Sequence, residues 1–180
     1  MPDIITLEYA ILLSVFALVA YYGFLRPGLS LAPWVATKGH DLARIDRLAA
    51  LKPGGTFFEA GCGDGRVSAY IARENPEAIV VGVELSFIMY LVARVRAALT
   101  RAPNLTIVHG DALTFDLRDV DVVYTYALTH TVNDKLLPHF QTLARPGARL
   151  ISYAFAIEAE NVRVDHEEGR TKVYLFTQSA

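Results

Sequence analysis

The period of hydrophobic and polar positions changes along the chain. From Ile4 to Leu25 the residues are apolar or small apart from Thr6, Glu8, Ser14 and the tyrosines, and the apolar ones fall on every side of a helix. Between Arg26 and Lys38 no periodicity is sustained, and Pro27, Gly28, Pro33 and Trp34 read as a linker that becomes a loop. Asp41 to Leu51 then spaces Leu42, Ile45, Leu48 and Ala49 as one helical face, and Lys52-Pro53-Gly54-Gly55 ends it.

From there apolar runs alternate with helical patterns. The runs predict strands over 56–60, 79–84, 105–109, 120–127 and 148–155, separated by helices over 65–74, 87–100 and 132–143 and by a short irregular crossover after the third strand. Two alternating stretches, 161–165 and 171–176, flank His166-Glu167-Glu168-Gly169-Arg170 and read as a closing hairpin. Strands joined through helices pair in parallel, with both sheet faces covered. The pattern predicts an α/β, Rossmann-like fold: a mostly parallel seven-stranded sheet with helices on both faces, a C-terminal antiparallel hairpin and one preceding N-terminal hydrophobic helix. The corresponding parts are a membrane-anchor helix over 1–26, a linker and lid loop over 27–40 and a catalytic-type domain over 41–180.

Composition changes this picture at one end only. The chain has 180 residues, room for one domain with an appendage. Its mean hydropathy of +0.30 is high, and the first segment accounts for it. About 20 residues at helical rise cross a bilayer core, and Tyr21 and Tyr22 suit its interface. A signal peptide would want a positive start, whereas Asp3 and Glu8 precede any Lys or Arg. A buried or dimer-forming helix is the rival reading. Arg26, Lys38, Arg44 and Arg47 follow the segment, so the positive-inside rule predicts a single-pass membrane protein with its domain on the cytoplasmic side. Asp3 and Glu8 account for the net charge of −2, and no basic block tracks a phosphate backbone, which speaks against nucleic acid. Cys62 is the only cysteine, and the histidines show no metal-ligand spacing, so no metal is expected.

The chemistry gathers around Phe57-Phe58-Glu59-Ala60-Gly61-Cys62-Gly63-Asp64-Gly65. It is a strand entering a bare loop where a ligand can lie against the main chain. Glu59, Glu84 and Asp111 fall at or just past the carboxyl ends of three successive predicted strands, where α/β sheets bind ligands. Converging acids favour a ligand bearing a sulfonium and an ammonium over one bearing a pyrophosphate. The loop also reads G-x-G-x-G rather than the dinucleotide G-x-G-x-x-G. Both point to S-adenosylmethionine. Glu84 could instead serve the N-terminus of the next helix, which Ser86 can cap, and Gly110-Asp111 is also ordinary turn chemistry. Cys62 and Asp64 are expected to contribute backbone more than side chain.

Glu59 to Gly65, Gly82-Val83-Glu84-Leu85 and Gly110-Asp111-Ala112 resemble the cofactor motifs of class I, seven-strand S-adenosylmethionine-dependent methyltransferases, over roughly residues 40 to 177. The resemblance implies that Glu59 supports the methionine end, Glu84 takes the ribose hydroxyls and Asp111 meets the adenine amine. It makes Gly61, Cys62, Gly63, Asp64, Gly65, Leu85 and Ala112 further cofactor contacts. More narrowly, Pro33-Trp34-Val35-Ala36-Thr37 and Glu84-Leu85-Ser86, opening a helix that carries Arg94 and Ala97, are similar to a small family of membrane-anchored protein lysine methyltransferases. That family includes the enzyme acting on the c-subunit of ATP synthase. Ala36 stands where it usually has a second proline, and Ser86-Phe87 replaces its Asn-Pro.

The acceptor is expected past the fourth strand, at Tyr124-Thr125-Tyr126-Ala127-Leu128-Thr129-His130, which lacks the Asp/Asn-Pro-Pro-Tyr of enzymes that methylate nucleic-acid amino groups. Tyr126 and His130 are the candidates for orienting it, with Trp34 as a lid residue, while Tyr124 reads as core. His130 can accept a proton, cap a backbone group or face solvent. Three functions follow: methylation of a lysine on a membrane-associated protein, methylation of a membrane-soluble small molecule such as a quinone or lipid precursor, or cofactor binding by a non-catalytic membrane adaptor.

Overall fold

A computed structural model describes residues 4–21 and 35–179. Seven strands form one sheet: β1 (Thr56–Ala60), β2 (Ile79–Glu84), β3 (Leu105–His109), β4 (Val122–Thr125), β5 (Arg149–Tyr153), β6 (Arg163–Asp165) and β7 (Val173–Thr177), in the order β3-β2-β1-β4-β5-β7-β6. The first five pair in parallel, and β7 runs antiparallel to both β5 and β6. Strand order reverses between β1 and β4, so a crevice opens beyond their carboxyl ends.

The helices are α1 (Ile4–Ala20), α2 (Leu42–Ala49), α3 (Arg66–Glu74), α4 (Phe87–Thr100) and α5 (Leu137–Leu143). Alternate strand residues explain the layers. Phe57, Val122, Tyr124 and Ile151 pack against Ile45 and Ala49 of α2 and Val67 and Ile71 of α3. Phe58, Val123 and Leu150 face the other way, onto Leu136, Leu137 and Phe140. With both faces covered, β1 reads as a continuous apolar run rather than an alternating one.

Several predicted bounds are corrected. The strand predicted over 120–127 is only Val122–Thr125, because Val120 N–H closes a turn onto Leu117 C=O before it. The strand predicted over 148–155 stops at Tyr153, where Ala154 turns to φ 72°. The helix predicted over 132–143 starts earlier and is broken: Thr129–Thr131 is α-helical, Val132–Leu136 is π-helical and α5 completes it. Pro138 has no N–H for the Asp134 carbonyl and crowds it, while Asn133 Nδ2 donates to Thr129 C=O at 3.0 Å, so the turn widens.

The first helix forms over 17 residues, with Ile11, Leu12, Leu13, Val15, Phe16 and Leu18 all exposed. Among the described residues no helix is long and apolar enough to cross a membrane. Seventeen residues reach about 25 Å, short of a hydrocarbon core of about 30 Å. The rest of the expected span, Trp34 and most of the linker lie outside the described residues.

Arg44, counted above among the basic residues that follow the first helix, is buried. It donates from Nε to Asp165 Oδ1 at 2.5 Å and from Nη1 to Thr171 C=O at 2.7 Å, fastening α2 to the β6–β7 hairpin. Its charge is therefore spent inside the fold.

Candidate cofactor and acceptor site

The glycine loop has the form its composition requires. Gly61, Gly63 and Gly65 have φ of 78°, 54° and 73°, conformations that residues with a Cβ rarely adopt. Gly61 and Cys62 both donate N–H to Val83 C=O, at 3.0 and 2.9 Å, which folds the loop over the end of β2. Gly65 also meets α4 closely: a Cβ there would stand 3.0 Å from Ala93 Cβ.

The acids are positioned by backbone donors. Glu84 accepts from Gly63 N–H at 2.8 Å through Oε2 and from Ser86 N–H at 2.7 Å through Oε1, so its carboxylate joins the loop to the start of α4. Each oxygen keeps acceptor capacity for a ligand. Glu59 is 3% exposed and accepts from Ser68 N–H at 2.9 Å and Ser68 Oγ at 2.5 Å, both through Oε2. Burial pushes its pKa up to about 8, against the Ser68 hydrogen bonds and with the help of the Asp64 and Glu84 charges. Asp111 sits past β3, half-buried, with Oδ1 accepting from Leu113 N–H at 3.0 Å. Gly110 N–H donates to Glu84 C=O at 3.0 Å, which holds that turn beside the end of β2.

Cys62 and Ala112 are buried in apolar clusters, so both can meet a ligand only through backbone. The Asp64 side chain is engaged within the protein. Its carboxylate pairs with Arg66 Nη2 and Arg96 Nη2, both at 2.8 Å, and Arg96 Nε also donates to Asp64 C=O at 2.7 Å. Burial alone would raise the Asp64 pKa, but these arginines hold it below the usual carboxylate range. Ser68, Arg66 and Arg96 carry no sequence signal for this work, since each acts on a loop it joins only through the fold.

On the acceptor side, Tyr124 is buried core as expected, yet its hydroxyl is 2.8 Å from Thr37 Oγ1. Arg66 Nη1 donates to Thr37 C=O at 3.3 Å. These bonds fasten the segment just after Trp34 across the crevice. Tyr126 lies edge-on to Tyr153 at 4.8 Å and 5.9 Å from Phe155. Beyond it a hollow of about 490 Å³ is lined by Leu128, Thr129, His130, Asn133, Asp134, Phe155 and Glu158. His130 is exposed there, with Nε2 3.3 Å from Thr131 Oγ1. Phe155 thus meets Tyr126 and lines the same hollow as His130, together with two carboxylates that sequence reading missed.

A family model, the ANTKMT methyltransferase domain, matches residues 59–163. The chain belongs to that family. It is an S-adenosylmethionine-dependent methyltransferase of the seven-strand class. It is 28% identical over 154 residues to a protein-lysine N-methyltransferase of Saccharolobus islandicus, covering 80% of this chain and 92% of that one. It is 38% identical over 81 residues to a ribosomal RNA small subunit methyltransferase A of Geobacter metallireducens, of which the match covers 28%. An RNA methyltransferase from Salinibacter ruber, solved in complex with S-adenosyl-L-homocysteine, superposes with a TM-score of 0.74 at 28% identity, over 81% of this chain and 94% of that one.

The methyltransferase loop fits its cofactor on its own geometry. Three positive-φ glycines leave the main chain bare, the loop N–H groups at Gly61 and Cys62 are already satisfied, and the Glu84 carboxylate is held against the loop by Gly63 N–H, while burial keeps Glu59 protonated and two arginines answer Asp64. A pyrophosphate would meet repulsion here, whereas a sulfonium and an α-ammonium group meet opposite charge.

Proposed function

We propose that this methyltransferase transfers a methyl group from S-adenosylmethionine to a lysine of a membrane-associated protein. One observation carries the lysine reading: the hollow past β4 is lined by His130 together with Asp134 and Glu158. Carboxylates attract an ammonium side chain and repel a phosphate-bearing strand, which favours a lysine over RNA. The 28% identity to a protein-lysine N-methyltransferase over most of both chains supports the same acceptor.

S-adenosylmethionine, when bound, supplies a methyl group on a positively charged sulfur. The chain's residues bring a nucleophile to it. Asp134 and Glu158 draw the lysine ammonium into the hollow, and Leu128 and Phe155, the latter backed by Tyr126, form an apolar wall. Burial against that wall favours the neutral amine, so the proton leaves as the side chain advances. His130, exposed at the rim, is the group placed to take it. The Gly61–Gly65 loop and Glu84 would hold the cofactor, whose sulfonium would supply the methyl to this neutral nitrogen. In-line positioning and exclusion of water supply most of the acceleration. Thr37, held by Tyr124 and Arg66, contributes to the exclusion.

The membrane reading rests on α1, where Tyr9, Ile11, Leu12, Leu13, Val15, Phe16 and Leu18 are exposed. In sequence the apolar stretch from Ile4 to Leu25 is of the length that a single bilayer pass needs. Exposed Lys38 and Arg47 on the domain side favour a cytoplasmic orientation.

The test is to incubate membranes with purified enzyme and cofactor labelled in the methyl group. Label in a protein band, mapped to lysine by mass spectrometry, supports the proposal. Label in the organic extract identifies a quinone or lipid precursor, label in RNA identifies an RNA acceptor, and label in none of these identifies an adaptor.

A further inference from the structure

Helix α4 buries little of its apolar surface. Ala93 packs on Gly65, and Tyr90 and Ala97 lean on the small cluster of Cys62, Ala93 and Ile107. The opposite side presents Phe87, Leu91, Val92, Val95 and Leu99, with Phe87 53%, Val95 60% and Leu99 77% exposed. At about 100° per residue these five and Ile88 fall within an arc of about 140°. Arg94 lies about 20° beyond one edge of that arc and Arg96 about 40° beyond the other. Arg101 follows the helix on the Arg94 side. No Asp or Glu occurs from Phe87 to Asn104.

We infer that α4 is a membrane-surface helix: its apolar face lies in the headgroup boundary of an anionic bilayer, with Arg94 and Arg101 on lipid phosphates. An apolar stripe edged by arginines and free of acids is the pattern of a helix lying in that plane, with the arginine stems along the apolar boundary and the guanidinium groups in the polar layer. A hollow of about 550 Å³ opens between α4 and β3 behind the two arginines, lined also by Ala97, Ala98 and Pro103, which gives a headgroup phosphate room beside both charges. Among the described residues Arg94 meets the hydroxyl and ring face of Tyr90, at 3.2 and 5.8 Å, and no carboxylate, so its charge is available. Arg96 is already held by Asp64.

Charge also argues against a second copy as the occupant. Two such faces would bring Arg94 and Arg101 together with no carboxylate on the helix to answer them. The inference rests on the membrane reading above and adds to it. Since Ser86, the N-cap of α4, has its N–H held by Glu84, docking would fix the cofactor crevice at a set height over the lipid.

The test uses the full chain with vesicles of phosphatidylcholine alone or mixed with phosphatidylserine. An environment-sensitive fluorophore is placed at Val95→Cys, where Cys62 is buried and spared, and sedimentation is measured in parallel. The expected result is sedimentation together with a blue-shifted probe that lipid-borne quenchers reach. Leu91→Glu/Leu99→Glu should return the probe to water while the chain still sediments. Arg94→Gln/Arg101→Gln should weaken the phosphatidylserine dependence about thirtyfold. A chain that sediments with its probe still in water overturns the inference and leaves the membrane reading standing. A chain that sediments with neither vesicle overturns both. A probe that is buried without vesicles, in a species of dimer mass, assigns the face to a second copy and overturns the inference.

Discussion

Glu59 gives the structure a pH signature that can be worked out in advance. Its carboxyl is buried, accepts two hydrogen bonds from Ser68, and has its pKa raised from 4.5 to about 8, first by burial. In the unfolded chain the group ionises near its ordinary value. Below that value both states hold the proton and Glu59 contributes no pH dependence. Between 4.5 and about 8 the folded state keeps a proton that the unfolded state releases, so stability falls as pH rises. One pKa unit is worth about 1.4 kcal/mol, and the whole window costs roughly 5 kcal/mol. Asp41, Asp64 and Asp121 have lowered pKa values and act oppositely, but their contribution is lost only as pH falls below their ordinary value of 3.8. The perturbation is Glu59→Gln, which keeps an acceptor for Ser68 N–H and removes the titration. Urea unfolding of both proteins at several pH values should show the wild type losing stability relative to the variant from pH 4.5 to 8, with groups common to both cancelling. Parallel profiles across that window would refute the reasoning.

Other perturbations probe the supports of the site. Gly82→Ala sets a Cβ 2.8 Å from Ser68 Oγ, 3.0 Å from Ile107 Cδ1 and 3.1 Å from Cys62 Cβ; the overpacking should cost about 1–3 kcal/mol, seen as a lower thermal midpoint, and a midpoint equal to wild type would contradict the close approach. Arg44→Ala leaves Asp165 and Asp41 without their buried partner, and should cost about 3–5 kcal/mol in denaturant unfolding. Tyr124→Phe removes the bond to Thr37, worth about 1 kcal/mol. Hydrogen exchange over residues 35–38 should then quicken roughly fivefold, with the sheet amides unchanged.

Much of this architecture is legible in local pattern. The bounds of β1, β2, α4 and β3 follow from apolar runs that begin or stop at Gly, Pro or a capping Ser86. Glu59 and Glu84 are visible as acids ending two such runs, and the parallel order brings them to one loop. What escapes is cooperative. Ser68 holds Glu59 only once α3 folds back on β1, and Arg96 reaches Asp64 across the α3–α4 contact. Thr37 meets Tyr124 only through the tertiary fold. Asp134 and Glu158 line one hollow because a π turn at Val132–Leu136 re-aims the chain, and periodicity alone predicted a plain helix there.

The central claim is that the Gly61–Gly65 loop with Glu84 holds S-adenosylmethionine. Titrating the cofactor calorimetrically into the full chain and into Glu84→Ala tests it most directly. The account predicts one site per chain, weakened at least about thirtyfold in the variant, the equivalent of about 2 kcal/mol for hydrogen bonds to a charged group. Equal affinity in the two proteins, or no binding to the wild type, would contradict it.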